Sequence, residues 1–551
     1  MMQCWQPVWL MLLLAAVPPA MADHQHDIPS AAAAMSVPLF ENLGTHHHPI
    51  TTTSPQAQRY FDQGLRLVYA FNHDEAGRAF KEAARLDPNC AMAYWGLALT
   101  LGPNYNLPVD AERDRAAYEA IQKALSLSAQ ATESERAYIK ALAKRHSPAP
   151  DADRKALDVA YADAMREVAT RYPDDLDAAT LSAEAMMNLR PWDLWTLAGQ
   201  PQPGTLEIVS TLEAVLKRDP EHPGAIHYYI HAVEASLQPE RAVPFADRLA
   251  DLMPGAGHLV HMPSHIYIRV GRYRDAAQSN VRAAAVDAEY IEKHDVQGVY
   301  RMMYYPHNIH FIWASASMEG QSAEALRAAR DLAAKMPTEM VRQMPPMEFF
   351  TPTPLFALVR FGKWEEILKE PAPPTDLRYT TGMWHYARGL AFTATGRLDG
   401  AAGEHARVAE IAAATPPETL MNLNSAAALL NIASHILAGE LAAKRSQTDE
   451  AIRHLKEAVR IQDELRYEEP PPWHYPVRQS LGAVLLTVGR AAEAEAVYHE
   501  DLKRNPENGW SLYGLAQSLR AQKAEKEAAA VEERFQKAWA RADVKLTASR
   551  F

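Results

Sequence analysis

His227 and His231 stand one helical turn apart, as do His261 and His265, and the second pair follows the first after 34 residues. A spacing of four puts two side chains on one face of an α-helix, and its return at a fixed longer period means that one supersecondary unit is stacked repeatedly. Small and bulky residues keep a matching order. Tyr60, Gly64, Ala76, Phe80, Ala83 and Pro88 mark one unit, and Tyr94, Leu97 and Ala98 open the next. Gly389, Gly396 and Ala401 mark a later unit, Leu481, Gly482, Gly489, Ala494 and Pro506 another, and Trp510, Tyr513 and Gly514 open a last one. Apolar residues recur at three and four rather than at two, so strands are nearly absent. With 551 residues, 48% of them hydrophobic and 23% charged, the chain is long enough for an extended stack.

These residues resemble the tetratricopeptide-repeat (TPR) superfamily, from about residue 56 to residue 540. The resemblance implies an all-α, right-handed superhelical solenoid of antiparallel helix pairs, with roughly nine to twelve degenerate repeats. Pro173, Pro220, Pro254 and Pro337 close central repeats. In such solenoids the first helix of each pair lines a concave groove. Counting from Pro220 and Pro254 then puts His227, His231 and Glu234 on the groove face of one first helix, and His258, His261 and His265 on that of the next. Counting back from Pro337 does the same for His307 and His310.

We expect the chain to divide into a signal peptide (1–22), a flexible His-containing arm (23–55), N-terminal repeats (56–200), central His-rich repeats (201–340), and C-terminal repeats with a capping helix (341–551). The apolar run Trp9 to Val17, followed by Ala20-Met21-Ala22, reads as an export signal, although no Lys or Arg precedes it. The expected compartment is therefore the periplasm or the exterior. Later stretches are too short for a membrane span. Cys90 is the only thiol after the signal and lies beside apolar residues, so we expect it buried rather than nucleophilic. A net charge of -12 without a Lys/Arg run argues against a nucleic-acid partner.

The chemistry is concentrated in His227, His231, Glu234, His258, His261, His265, His307 and His310. Neutral imidazoles at helical spacing chelate zinc, copper or iron, and imidazoles reaching from helices about 10 Å apart can share an ion. We expect these eight residues to be metal ligands, with Glu234 as ligand or general base and the excess over four donors serving a second ion or supporting the first. An open groove would leave a coordination position for water or a small substrate. The sequence does not separate a metal-dependent enzyme from a metal carrier. A reading from a different class has a non-catalytic scaffold holding a peptide or protein partner in the groove.

Arg272, Arg301, Tyr304, Tyr305, Asn308 and Trp313 lie near the ligands in sequence, and His385, His435 and His474 belong to later repeats, from which they could close over the groove. The tract His46-His47-His48 could capture metal loosely, fold back onto the groove, or stay solvated. The run Met336, Met340, Met344 and Met347 reads as core filler. No Gly-x-Ser-x-Gly elbow, phosphate loop or His-Glu-x-x-His helix is present.

Overall fold

The computed structural model describes residues 37–149 and 151–551, so the export signal and the start of the arm lie outside the described residues. The described residues form 26 α-helices and one two-residue antiparallel hairpin, Leu420–Met421 with Asn424–Ser425. With Gly257–His261 and Pro263–Arg269 taken as one interrupted helix, the α-helices fall into twelve consecutive pairs, running from Pro55–Tyr69 with His73–Leu86 to Gly509–Ala521 with Glu525–Ala538. Only the six-residue Thr338–Gln343 helix falls outside this pairing. The expected all-α stack of helix pairs is the fold.

Local chemistry starts these helices where they start. Ser54, Asn72, Asp110, Thr132, Asp153, Asp175 and Asn508 each accept a backbone N–H of the first turn, and Thr132 completes a reciprocal capping box with Glu135. Each such cap stabilises its helix by about 1 kcal/mol.

Glycine notches fit one pair to the next. The Phe80 ring sits where a side chain on Gly64 or Gly96 would be, since a Cβ added there would lie 2.6 or 2.4 Å from it. Tyr498 fills the matching notch between Gly482 and Gly514, where a Cβ would lie 2.4 or 2.2 Å from its ring. The sequence pattern of small residues beside a bulky one is therefore a packing rule: a ring from the second helix of a pair enters the gap between two successive first helices.

Contacts divide the chain into two units. One comprises Ser36–Ala316 with Arg504–Glu507, and the other includes Ser317–Lys503 and Asn508–Phe551. The division falls between Ala316 and Ser317. In the first unit the arm is ordered from residue 37 onward, contrary to the expected flexibility. Thr51 binds Glu135 through its backbone N–H and its hydroxyl, both at 2.5 Å, and Thr52 donates to Asp87. Cys90 is buried there, as expected, and burial pushes its thiol up to about 11.

In the second unit, Ala426–Lys444 is the one helix among the described residues long and apolar enough to cross a membrane by length and composition. Its most apolar stretch is 61% buried and it packs against Leu398–Ala414 and Thr448–Asp463, which is how a core helix behaves. The Ser549 hydroxyl of this unit meets Tyr498 at 2.7 Å and donates to the Gln479 carbonyl, which holds the last described residues against the helix pairs.

Candidate metal centre

The helix Pro223–Val233 carries the first two histidines, and every one of its residues is buried. Pro223 supplies a preset first turn, and the His222 ring accepts the Ala225 N–H as its cap. Gly224 lets the helix lie directly on the Tyr69 ring. The next first helix is split at Met262 because Pro263 has no N–H to continue the ladder. Gly257 opens it on bare backbone against the Asp287 carboxylate, where a Cβ would lie 1.9 Å from Oδ1. His307 and Phe311 come from Tyr305–Met318, entered through a π-helical turn, Tyr300–Tyr304. Such turns shift the register of the side chains that follow them.

These elements bring seven of the eight expected residues into two linked triads within the first unit. His227, His231 and His258 each offer a nitrogen, the three within 4.8 Å of one another, and so do His261, His265 and His307. Glu234 lies between the triads. Its Oε1 is 2.9 Å from His231 Nδ1 and its Oε2 is 2.5 Å from His265 Nδ1. His310 stands apart from both triads, stacked on Trp313 at 5.0 Å.

The hydrogen bonds fix which nitrogens carry protons. His227 Nδ1 donates to the Tyr69 carbonyl at 2.6 Å, and His231 and His265 donate their Nδ1 protons to Glu234. Asn280 donates its amide to the Ala276 carbonyl, so its Oδ1 faces His261 Nδ1 at 2.7 Å and takes that proton. His227 and His231 are each left with a bare Nε2 lone pair. The Nε2 atoms of His227 and His231, and both ring nitrogens of His258, are buried without a hydrogen-bond partner. The Nε2 atoms of His261 and His265 lie 2.8 Å apart, close enough to share one cation, whether a proton or a metal ion.

Electrostatics select which cation. Burial, reinforced by neighbouring imidazoles, holds His227, His258, His261 and His307 well below the ordinary histidine range. Burial lowers His265 too, against the pull of Glu234. Burial would raise the Glu234 carboxyl, but His265 and His231 outweigh it and hold it below the ordinary range. At neutral pH His227, His258, His261 and His307 are thus neutral imidazoles, with the Glu234 carboxylate ionised between the two triads. Transition metals bind histidine in this neutral form, and a carboxylate that accepts the other ring N–H usually accompanies it.

The centre is enclosed, contrary to the expected open groove. Phe71 touches all three rings of the first triad, with centroids at 4.4 Å (His227), 6.0 Å (His231) and 5.6 Å (His258). Phe311 does the same for the second triad at 4.8, 5.0 and 5.1 Å. Tyr105 and Trp192 close on His231, and Tyr304 on His258. His307 alone among the ligating residues is half-buried; the others are 2% exposed or less.

Of the nearby residues, Tyr304 and Asn308 reach the wall of the site, the latter donating to Asp287 at 2.7 Å. Burial raises the Asp287 carboxyl to about 7, against donors from Tyr300 and Asn308. Arg272 instead pairs with Asp247 and Asp275. His385, His435 and His474 belong to the other unit and have partners there: Glu404 at 2.5 Å, His454 at 2.9 Å, and the Phe356 ring at 4.4 Å. The tract at 46–48 folds back onto its own unit. His46 Nε2 and His48 Nδ1 lie 2.9 and 2.7 Å from Asp177, which also receives Tyr69 and His222. Asp177 thus gathers four side chains and anchors the tract, and His46, Asp177 and His222 also place three donor atoms within 4.8 Å of one another.

No family model matches the chain, and no curated protein does. Solved structures similar to it include the APC/C hetero-tetramer Cut9-Hcn1 (13% identity, 89% of this chain and 76% of that one, TM-score 0.32). They also include the human IFIT1 dimer with m7Gppp-AAAA (11% identity, 89% and 91%, TM-score 0.34) and the P58(IPK) TPR domain (14% identity, 86% and 99%, TM-score 0.23). No ligand or activity transfers to this chain from likenesses of that size. The helix pairs and their glycine notches make an all-α stack of antiparallel helix pairs.

Proposed function

We propose that this TPR-like protein binds a transition metal ion, of the zinc, copper or iron class, in the histidine centre of its first unit. The observation that carries this reading is the gathering of six imidazoles into two triads, each offering three nitrogens within 4.8 Å of one another, with four ring nitrogens of the first triad buried and without a hydrogen-bond partner. His227, His231, His258, His261, His265 and His307 are the ligands. Glu234 serves them by accepting two Nδ1 protons, a role that replaces its expected use as ligand or base. A metal ion here supplies Lewis acidity, the basis for reading the protein as a metal-dependent enzyme. The enclosure of the centre favours a small substrate or a carrier role over a peptide, which would need an open groove. The amino-terminal apolar run supports placement in the periplasm or the exterior. The scaffold reading draws its support from the repeat architecture alone.

The test is equilibrium uptake of zinc by the untagged protein, read by inductively coupled plasma mass spectrometry. We expect stoichiometric binding that is lost in the His231→Ala/His265→Ala variant at unchanged helicity. Equal uptake by that variant would reject the reading and favour the scaffold.

A further inference from the structure

The two triads are alike in number, spacing and phenyl cover, but they differ in access and in the backbone that covers them. In the first, His227, His231 and His258 are all 2% exposed or less, and four of their ring nitrogens are orphaned. Their cover is loop-borne. Phe71 sits in the turn between two helices with φ +54°, and Trp192 with φ +58°. A bulky side chain in the left-handed region is strained, and strain of this kind persists only where the surroundings impose it. Both residues place their rings on His231, Phe71 stacked and Trp192 edge-on, and Tyr105 stacks on Trp192 behind them. In the second triad the phenyl ring comes from a helix, since Phe311 lies within Tyr305–Met318, and the third residue, His307, is only half-buried.

We infer that the centre holds two transition metal ions of unequal character: an inner, inert ion on His227, His231 and His258, and an outer, exchangeable ion on His261, His265 and His307. This rests on the metal reading above and goes beyond it in number and role. Three protein nitrogens leave a tetrahedral ion one position short. On the outer ion that position lies on the His307 side, where water or a small anion can enter. On the inner ion it lies under the Phe71, Tyr105 and Trp192 rings, which leave it dry. The outer ion is therefore the one that meets a substrate, and the class of substrate is a small, anionic or carbonyl-bearing molecule that can displace one water. Glu234 ties the two together by orienting one ligand of each, so the outer ion's geometry depends on the inner one being filled.

Cobalt(II) loading of the full chain tests this, with absorbance in the visible region as readout, azide as the probe anion and a chelator in excess. The expected result is two equivalents per chain. Azide should perturb the spectrum of one equivalent only, and that same equivalent should leave to the chelator at least about tenfold faster, because the other waits for a local opening. His307→Ala should lose the fast equivalent and keep the slow one, and Phe71→Ala should make the slow one fast. Both outcomes are read against the wild type, whose two-phase release stands even if a variant fails to fold. A single equivalent, or two leaving at one rate, would overturn the inference while leaving metal binding intact. No cobalt uptake at all would overturn the metal reading itself, and this inference with it.

Discussion

The carbonyl oxygen of Tyr69 accepts the Nδ1 proton of His227 at 2.6 Å, while the hydroxyl of the same tyrosine donates to Asp177 at 2.5 Å. One buried residue thus orients a proposed ligand with its backbone and anchors the amino-terminal arm with its side chain. Tyr69→Phe separates the two roles, because it deletes the hydroxyl and keeps the carbonyl. We expect it to cost about 1–3 kcal/mol of stability in chemical denaturation, the penalty for leaving a buried acceptor short of a donor, with metal uptake unchanged. Loss of uptake in this variant would mean that the arm, and not only the carbonyl, shapes the centre.

The same anchor makes the arm sensitive to pH. Burial alone would lower His48, but its hydrogen bond to Asp177 and the charges of Asp177, Asp175 and Asp62 outweigh burial and raise it. A histidine raised on folding contributes stability that is complete below its ordinary value of about 6.5 and is lost as pH rises through the raised value. Limited proteolysis between residues 37 and 54 should therefore be faster at about pH 9 than at about pH 6. Asp177→Asn should remove that dependence. Faster cleavage on the acidic side would contradict the assignment.

Glu234 gives a third prediction. Glu234→Gln keeps the size of the side chain but replaces one acceptor oxygen by a donor, so it can no longer take both Nδ1 protons. If the carboxylate orients His231 and His265 from outside the coordination sphere, metal affinity falls by about 10–100-fold at unchanged stoichiometry. Isothermal titration separates this from complete loss of binding, which would make Glu234 a ligand.

Packing supplies a fourth. A Cβ on Gly96 would stand 2.4 Å from Phe80, a ring that is fully buried and already fills the Gly64 notch. Gly96→Ala should destabilise the chain by about 1–3 kcal/mol through overpacking, despite the better helix propensity of alanine. A stabilised variant would show that the notch has slack.

Much of this was legible before any coordinates, and the reasons are physical. Gly64 with Phe80 and Gly482 with Tyr498 report helix contacts directly, because a small residue at a crossing leaves its mark in sequence wherever a ring must fit. The 34-residue register of His227/His231 and His261/His265 likewise reports which side chains share a face. Enclosure could not be read in the same way. Phe71, Tyr105 and Trp192 lie in turns and loops whose path is set by tertiary packing, and no periodicity leads from them to the histidines. Asn280 was equally hidden, as a polar residue on a second helix whose partner lies 19 positions away. His310 was over-read, since a spacing of three from His307 put it near the face but its ring turns to Trp313. The tract at 46–48 carried no signal of its destination, because Asp177 is more than a hundred residues distant.

Anomalous X-ray scattering from crystals grown with zinc, measured across the zinc absorption edge, asks the central question without intermediaries. The account predicts a peak about 2.0–2.1 Å from the Nε2 atoms of both His261 and His265, with these rings parted just enough to admit it. Absence of any peak at that position, or a peak on the His46 to His48 tract alone, would contradict it.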